Sequence, residues 1–284
     1  VLAESEVDRD IASIVYSGLM KKDAEGNLVP DLAEKYELSE DNLVYTFYLR
    51  DGITFHDKTA LTTDDVAYTI GQIQDPAINS PEKINWQGVE VNVVDPKVIT
   101  FSLKKPYASF LENTTVGILP AHLWRGIKSD EFSFSTLNRN AIGSGPYEVK
   151  KVTINSSGIA TKYSFNSFNK YITGEPHVKN LYFNFYANEK DLMKAYKDGD
   201  IDQLHGISGA NAKDLENDGA NVAGIELGRV FGLFFNSTQN PIFADKNVVR
   251  ALEHAINKQN IIDQVLAGYG KEINSPIPQA LSHS

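Results

Sequence analysis

No cysteine occurs among the 284 residues, and methionine and tryptophan appear only twice each. Without thiols there is no disulfide, no thiolate metal site and no thiol nucleophile. Basic residues are the scarcer charge, 27 Lys and Arg against 37 Asp and Glu, for a formal net charge of −10. A chain of that sign is a poor match for a nucleic-acid backbone or an anionic lipid surface, so nucleic acid is excluded as an expected partner. No run approaches the roughly 18 apolar residues of a membrane span. No basic segment followed by an apolar one opens the sequence.

Motifs of chemistry are missing as well. Ser144 has Ile142 two positions before it, and Ser208 has Ala210 two positions after it, so neither sits in a Gly-x-Ser-x-Gly elbow. Gly270-Lys271 lacks the first glycine of a phosphate-cradling loop. Asp198, Asp200 and Asp202 alternate as calcium-loop ligands do, but Gln203 and Gly209 stand where such a loop needs Gly and Glu. The six histidines include no pair three to five residues apart, so no metal ligand set is read from them. Asp64-Asp65 falls at an expected helix start, where acids favour the positive end of the dipole.

What is present is an ordinary apolar fraction, 42%, and many aromatics, 13 Tyr and 14 Phe. The stretch Ile142-Gly143-Ser144-Gly145-Pro146-Tyr147 reads as a tight turn delivering the chain into a strand, its glycines free to take backbone angles closed to other residues. Apolar spacing predicts a helix over Asp8 to Met20, closed near Gly18, and Asp23 to Asn27 is a turn. A strand follows over Leu43 to Leu49, then a short helix opened by Thr62 and Asp65 as a near capping box. Val89 to Val93 and Val98 to Leu103 make a hairpin through Asp95-Pro96, and short helical turns are expected at Tyr107 to Leu111 and Pro120 to Trp124.

Gly145 to Val152 and Ala160 to Asn166 predict a second hairpin, and Val178 to Tyr186 places Leu181, Phe183 and Phe185 on one face. A helix capped by Asn188 and a short strand Ile201 to Leu204 would complete a βαβ unit and make part of the sheet parallel. Further on come a helix over Asn211 to Asn217, an apolar strand over Val230 to Asn236, and a helix capped by Asp245 that continues or kinks near Asn260. Tyr16, Trp86, Tyr107, Phe234 and Phe235 sit at expected element ends, where aromatics can line a concave site.

The ordered set VYSGL (15–19), DAEGNLVPDL through DDVAYTI (23–70), KKPYASFL (104–111), ILPAHLW (118–124), IGSGPYEVK (142–150), YKDGDIDQL (196–204) and LFFNSTQNPIFADK through NIID (233–263) resembles the family 5 bacterial extracellular solute-binding proteins. These are the oligopeptide, dipeptide and nickel-chelate receptors of ABC importers. The resemblance implies an α/β, two-lobed periplasmic-binding-protein fold of type II with an extra inserted domain. Residues 1–20 and 141–235 would form the first lobe, 21–140 the inserted α+β domain, and 236–284 the hinge and the start of an incomplete second lobe. Relatives continue for a couple of hundred residues, so weak ligand binding is expected of this chain.

The same resemblance implies capture without chemistry: no catalytic residue, no metal and no cofactor. Short peptides lead as ligands, with oligosaccharides, metal chelates or a non-transport signalling role as alternatives; an enzyme, a hydrolase using Asp or Glu pairs, is the less expected rival and would need convergent carboxylates in one pocket. The partners would be that small organic ligand and the importer's membrane subunits. The protein would be a monomer outside the cytoplasm, periplasmic or lipid-anchored. Tyr16, Ser17, Trp86, His205, Phe234 and Asn236 become the ligand-binding candidates; Ser17 stands where relatives often have Glu, which removes the amine-binding charge. Gly143, Gly145, Pro146, Phe55, His56 and Asp57 are assigned to the fold.

Overall fold

The computed structural model describes residues 1–3, 5–107, 109–224 and 230–273. The chain divides into two compact units, Val1–Phe185 and Tyr186–Ser284.

The first unit opens with helix α1, Glu6–Val15, where the Ser5 hydroxyl accepts from the Asp8 N–H (3.1 Å) and the Asp8 carboxylate accepts from the Ser5 N–H (3.2 Å). This reciprocal cap satisfies two donors that the helix leaves open. The helix stops three residues before the expected close near Gly18, because the Val15 carbonyl accepts from the Gly145 N–H (2.9 Å) and no longer serves a helical turn. Met20 instead begins strand β1, Met20–Lys22, paired with β2, Leu28–Pro30, across the 23–27 turn.

Strand β3, Ala33–Leu38, was not signalled by the sequence pattern, since four of its six residues are charged or tyrosine and face solvent. It pairs with β4, Val44–Leu49, whose Tyr45, Phe47 and Leu49 alternate inward. Helix α2, Thr63–Gln74, carries the expected cap: the Asp65 carboxylate accepts from the Thr62 N–H (2.9 Å). The four-residue helix α3, Lys83–Trp86, leads to β5, Glu90–Asp95, and β6, Val98–Ser102, which add to the sheet in the order β3-β4-β6-β5. Short helices α4, Phe110–Asn113, and α5, Ala121–Trp124, follow where turns were expected. Leu19, Phe47, Phe55, Ile70, Trp86, Phe101 and their neighbours close one core around this sheet and α2.

A second antiparallel sheet follows in the order β7-β8-β9, built from Tyr147–Ile154, Ala160–Ser167 and Asn180–Asn184. Its inner face, with Val149, Tyr163, Phe165, Leu181, Phe183 and Phe185, packs on Val15 and the apolar face of α1.

In the second unit, α6, Glu189–Lys197, is capped by Asn188 as expected and closes at Gly199 with φ +78°. The expected strand Ile201–Leu204 does not form. The Asp200 N–H turns back to the Ala195 carbonyl (2.9 Å), and Asp202 and Gln203 face solvent with nothing to bury. Among the described residues every ladder is antiparallel, so the βαβ unit and its parallel pairing are corrected. Helix α7, Gly209–Asn217, is capped by Ser208. Val230–Asn236, expected as a strand, has no regular secondary structure and no ladder partner among the described residues. Helices α8, Lys246–Ala255, and α9, Lys258–Val265, are separated at Ile256-Asn257 rather than kinked near Asn260, because Asn257 caps a new helix by accepting from the Asn260 N–H (2.8 Å).

Candidate functional site

Two of the candidates, Tyr16 and Ser17, lie in a short extended segment that several parts of the first unit grip. The Ser17 carbonyl accepts from the Ile118 N–H (2.9 Å), the Gly18 carbonyl from the Leu32 N–H (3.1 Å) and the Leu19 carbonyl from the Asp31 N–H (3.0 Å). The Ser17 hydroxyl donates, at a long 3.5 Å, to the Ser144 carbonyl. Both serines are 2% exposed, and the Ser144 hydroxyl has no hydrogen-bond partner among the described residues. Burial pushes the Tyr16 phenol well above the usual tyrosine range, with the nearby Tyr163 adding to the effect, so Tyr16 is neutral at any physiological pH.

The Gly-Ser-Gly turn is needed here for a different reason from the expected one. Neither Gly143 nor Gly145 has a positive φ. A Cβ on Gly143 would lie 2.0 Å from the Val15 carbonyl oxygen, and one on Gly145 would lie 2.6 Å from the Val15 carbonyl carbon. Close backbone approach, not backbone freedom, demands glycine at both positions.

His56 and Asp57, assigned to the fold from the sequence, hold this junction from the loop between β4 and α2. The His56 N–H donates to the Gly143 carbonyl (2.8 Å), the Gly143 N–H donates to Nδ1 (3.2 Å), and Nε2 donates to the Gly145 carbonyl (3.0 Å). Burial pushes the His56 imidazolium down in pKa, against smaller opposing effects of the Gly145 bond and the Asp57 charge. Asp57 meets His122 at 2.7 Å. Burial pushes its carboxyl up, but the hydrogen bonds from His122 and Thr59 outweigh this and hold it below the usual range.

A second tie is buried nearby in sequence. The Asp31 side chain, 4% exposed, accepts from the Tyr171 hydroxyl (2.9 Å) and faces the Lys21 ammonium at 3.4 Å, which also donates to Tyr171 (3.1 Å) and Thr173 (3.0 Å). It joins β1 to the loop after β8. Nothing in the sequence signals this network, since Tyr171 lies 140 residues from Asp31 and the two share no local pattern.

The other candidates are placed elsewhere. Trp86 is fully enclosed, edge-on to Phe101 and Phe110 at 5.5 Å each, so its indole is part of the core around β6 and not presented at a surface. A recess of about 280 Å³ runs past Gln74, Gly88 and Lys104, and none of the six candidates lines it. In the second unit, His205 is exposed in the loop after α6. Phe234 is 91% exposed, and the Asn236 side chain accepts from Thr238 and Gln239, closing a local turn. Among the described residues no group of three or more His, Asp or Glu is arranged to hold a metal ion.

The sequence model of the bacterial extracellular solute-binding proteins, family 5 Middle, matches residues 27–284. The chain belongs to that family. It is 26% identical to the glutathione-binding protein GsiB of Pectobacterium atrosepticum, over 99% of this chain and 54% of the relative. It is 27% identical to the dipeptide-binding protein of Escherichia coli, over 89% of this chain and 50% of the relative. Among solved structures it superposes on NikZ of Campylobacter jejuni, determined in complex with Ni(L-His), with a TM-score of 0.75 and 28% identity, over 96% of this chain and 54% of the other. The fold class is therefore that of type II periplasmic binding proteins. The chain spans about half the length of the curated relatives it matches.

Proposed function

We propose that this chain forms part of the substrate-binding receptor of an ABC importer, capturing short peptides and handing them to the importer's membrane subunits. The observation that carries the reading is the family match over 27–284, running through every segment that grips Tyr16 and Ser17 from Leu32 onward. Relatives named for glutathione and for dipeptides favour peptides as the ligand class. Residues 1–20 with 141–235 are assigned to the first lobe, 21–140 to the inserted domain and 236–284 to the hinge and the start of the second lobe. The packing of Val15 with Ala141, Tyr163 and Phe165 supports joining the first two of these stretches.

The receptor acts outside the cytoplasm as a monomer. Binding, not catalysis, is the activity: the ionisable groups beside the candidate site are committed, His56 to backbone and Asp57 to His122. Within the first unit, Tyr16 and Ser17 are the proposed ligand contacts. His205, Phe234 and Asn236 are proposed contacts in the second unit, and Trp86 fills the first unit's core against Phe101 and Phe110. Metal chelates form a second reading, favoured by the likeness to a protein solved with Ni(L-His).

The test is an amide-resolved NMR titration of the chain with a pool of di- to tetrapeptides, then with nickel–histidine, then with a pool of oligosaccharides. Saturable shifts at Tyr16, Ser17 and Gly145 with peptides support the first reading. Shifts with nickel–histidine alone replace it by the second, and a response to sugars alone changes the ligand class. Silence at those residues with every ligand overturns the site.

A further inference from the structure

The loop from Ile53 to Leu61 is folded tightly on itself, with the Phe55 N–H donating to the Thr59 carbonyl (2.9 Å) and Lys58 in the left-handed region at φ +73°. That geometry sends Phe55 into the core and aims His56 at the Gly143–Gly145 turn. The ring is used on both sides. Its Nδ1 accepts from the Gly143 N–H, and a carbonyl can only accept, so Nε2 carries the proton that reaches the Gly145 carbonyl. Such an arrangement needs neutral imidazole in one tautomer. The edge of Phe168, at 4.9 Å and 71° to the ring, covers it from the end of β8.

We propose that His56 is a positioning residue for the Tyr16–Ser17 segment: its neutral imidazole holds the Gly143–Gly145 turn against Val15, and proton uptake at Nδ1 releases the turn and weakens ligand binding. The chain of contacts is continuous. Gly145, whose carbonyl accepts from Nε2, donates its own N–H to the Val15 carbonyl, one residue before Tyr16. A proton taken from solvent onto Nδ1 puts one N–H against another and breaks the bond from Gly143. The charged group facing the ring is Asp57 on its own loop, whose carboxylate is already paired with His122 of α5. Across Gly143 lies Tyr16, kept neutral by burial. Phe168 and the turn itself bring no charge. The release of the turn stands on these contacts alone; only its effect on ligand rests on the proposed function.

The experiment is an NMR titration of the 284-residue chain from about pH 7.5 to about pH 4.5, following the His56 ring and the amides of Gly143 and Gly145. The expected result is one shared midpoint below the ordinary histidine value of about 6.5, with protection of the Gly145 amide falling about tenfold across it. His56→Gln, which keeps a neutral donor and cannot titrate in this range, should lose the pH response of Gly145. A His56 ring that titrates while both glycine amides stay still overturns the proposal. Peptide-pool affinity should fall several-fold on acidification in the parent and stay level in His56→Gln. Release of Gly145 with unchanged affinity overturns the coupling to ligand, whereas absence of peptide binding at pH 7.5 counts against the functional reading, the amides then deciding the clamp.

Discussion

The first unit holds a cluster of fully enclosed aromatic rings, although its Phe134 is 84% exposed, whereas no aromatic residue described in the second unit is buried. In Val1–Phe185, Phe47, Phe55, Trp86, Phe101, Phe110 and Phe165 are fully enclosed, and a run of crossing backbone bonds fixes the segment from Val15 to Met20. In Tyr186–Ser284, Phe231 is 85% exposed and Phe234 91%, in a segment with no ladder partner among the described residues. The helices of eight or more residues carry a capping side chain in both units, at Ser5, Thr62, Asn188, Ser208, Asp245 and Asn257. Local signals therefore do not distinguish them. Long-range burial does, and it is what holds a stretch of good secondary structure in one place.

The largest effect expected on this contrast comes from a single methyl group. Gly143→Ala drives a Cβ into the Val15 carbonyl and should cost about 4 kcal/mol or more, measured by urea unfolding of the first unit's tyrosine and tryptophan signals. Gly158→Ala, at φ +78° but in open space, should cost only about 1 kcal/mol. Equal effects would break the argument that close approach selects glycine in the turn.

Next come the two aromatic candidates. Trp86→Ala should destabilise by about 3–5 kcal/mol, the usual cost of emptying a large core site, whereas Phe234→Ala should stay within about 0.5 kcal/mol. A destabilising Phe234→Ala would show that the 230–236 segment is packed after all. A smaller step is Tyr171→Phe, which removes a donor from the buried Asp31 carboxylate and should cost about 1–3 kcal/mol. The midpoint shift should exceed that of removing an exposed pair such as Lys35–Glu37.

The smallest effect is on pH. His56 has a lowered pKa in the folded state, so at a pH between that value and about 6.5 the unfolded chain binds more protons. Stability from the neutral ring is whole above about pH 6.5 and is lost as pH falls through the folded value, levelling off below it. His56→Phe should flatten that part of a stability–pH curve, and an unchanged slope would remove His56 as its source.

Much of the fold was legible because its signals are local. The Thr62–Asp65 cap, the β5–β6 hairpin around Asp95 and the Leu181-Phe183-Phe185 face all stand as the sequence pattern predicts. The failures share a cause. Leu19 and Met20 fit the helical period of Ile11 and Ile14, yet partners more than ten residues distant claim the backbone around them, and tertiary bonds override the period. Val230–Asn236 has strand composition, but a strand exists only with a neighbour to pair with. The grip on Tyr16 and Ser17 was not legible, because nothing in the sequence shows that His56, Gly145 and Val15 meet; Tyr16 stands out only as an aromatic at an element end and Ser17 only through the family resemblance.

Amide hydrogen exchange of the whole chain at neutral pH tests the central contrast most directly. Gly145, Ile118 and Leu32, whose N–H groups bind Val15, Ser17 and Gly18, should exchange only through unfolding of the first unit, while Phe231 to Phe235 should exchange near the free rate. Comparable protection of the two sets, or fast exchange at Gly145, would contradict that contrast.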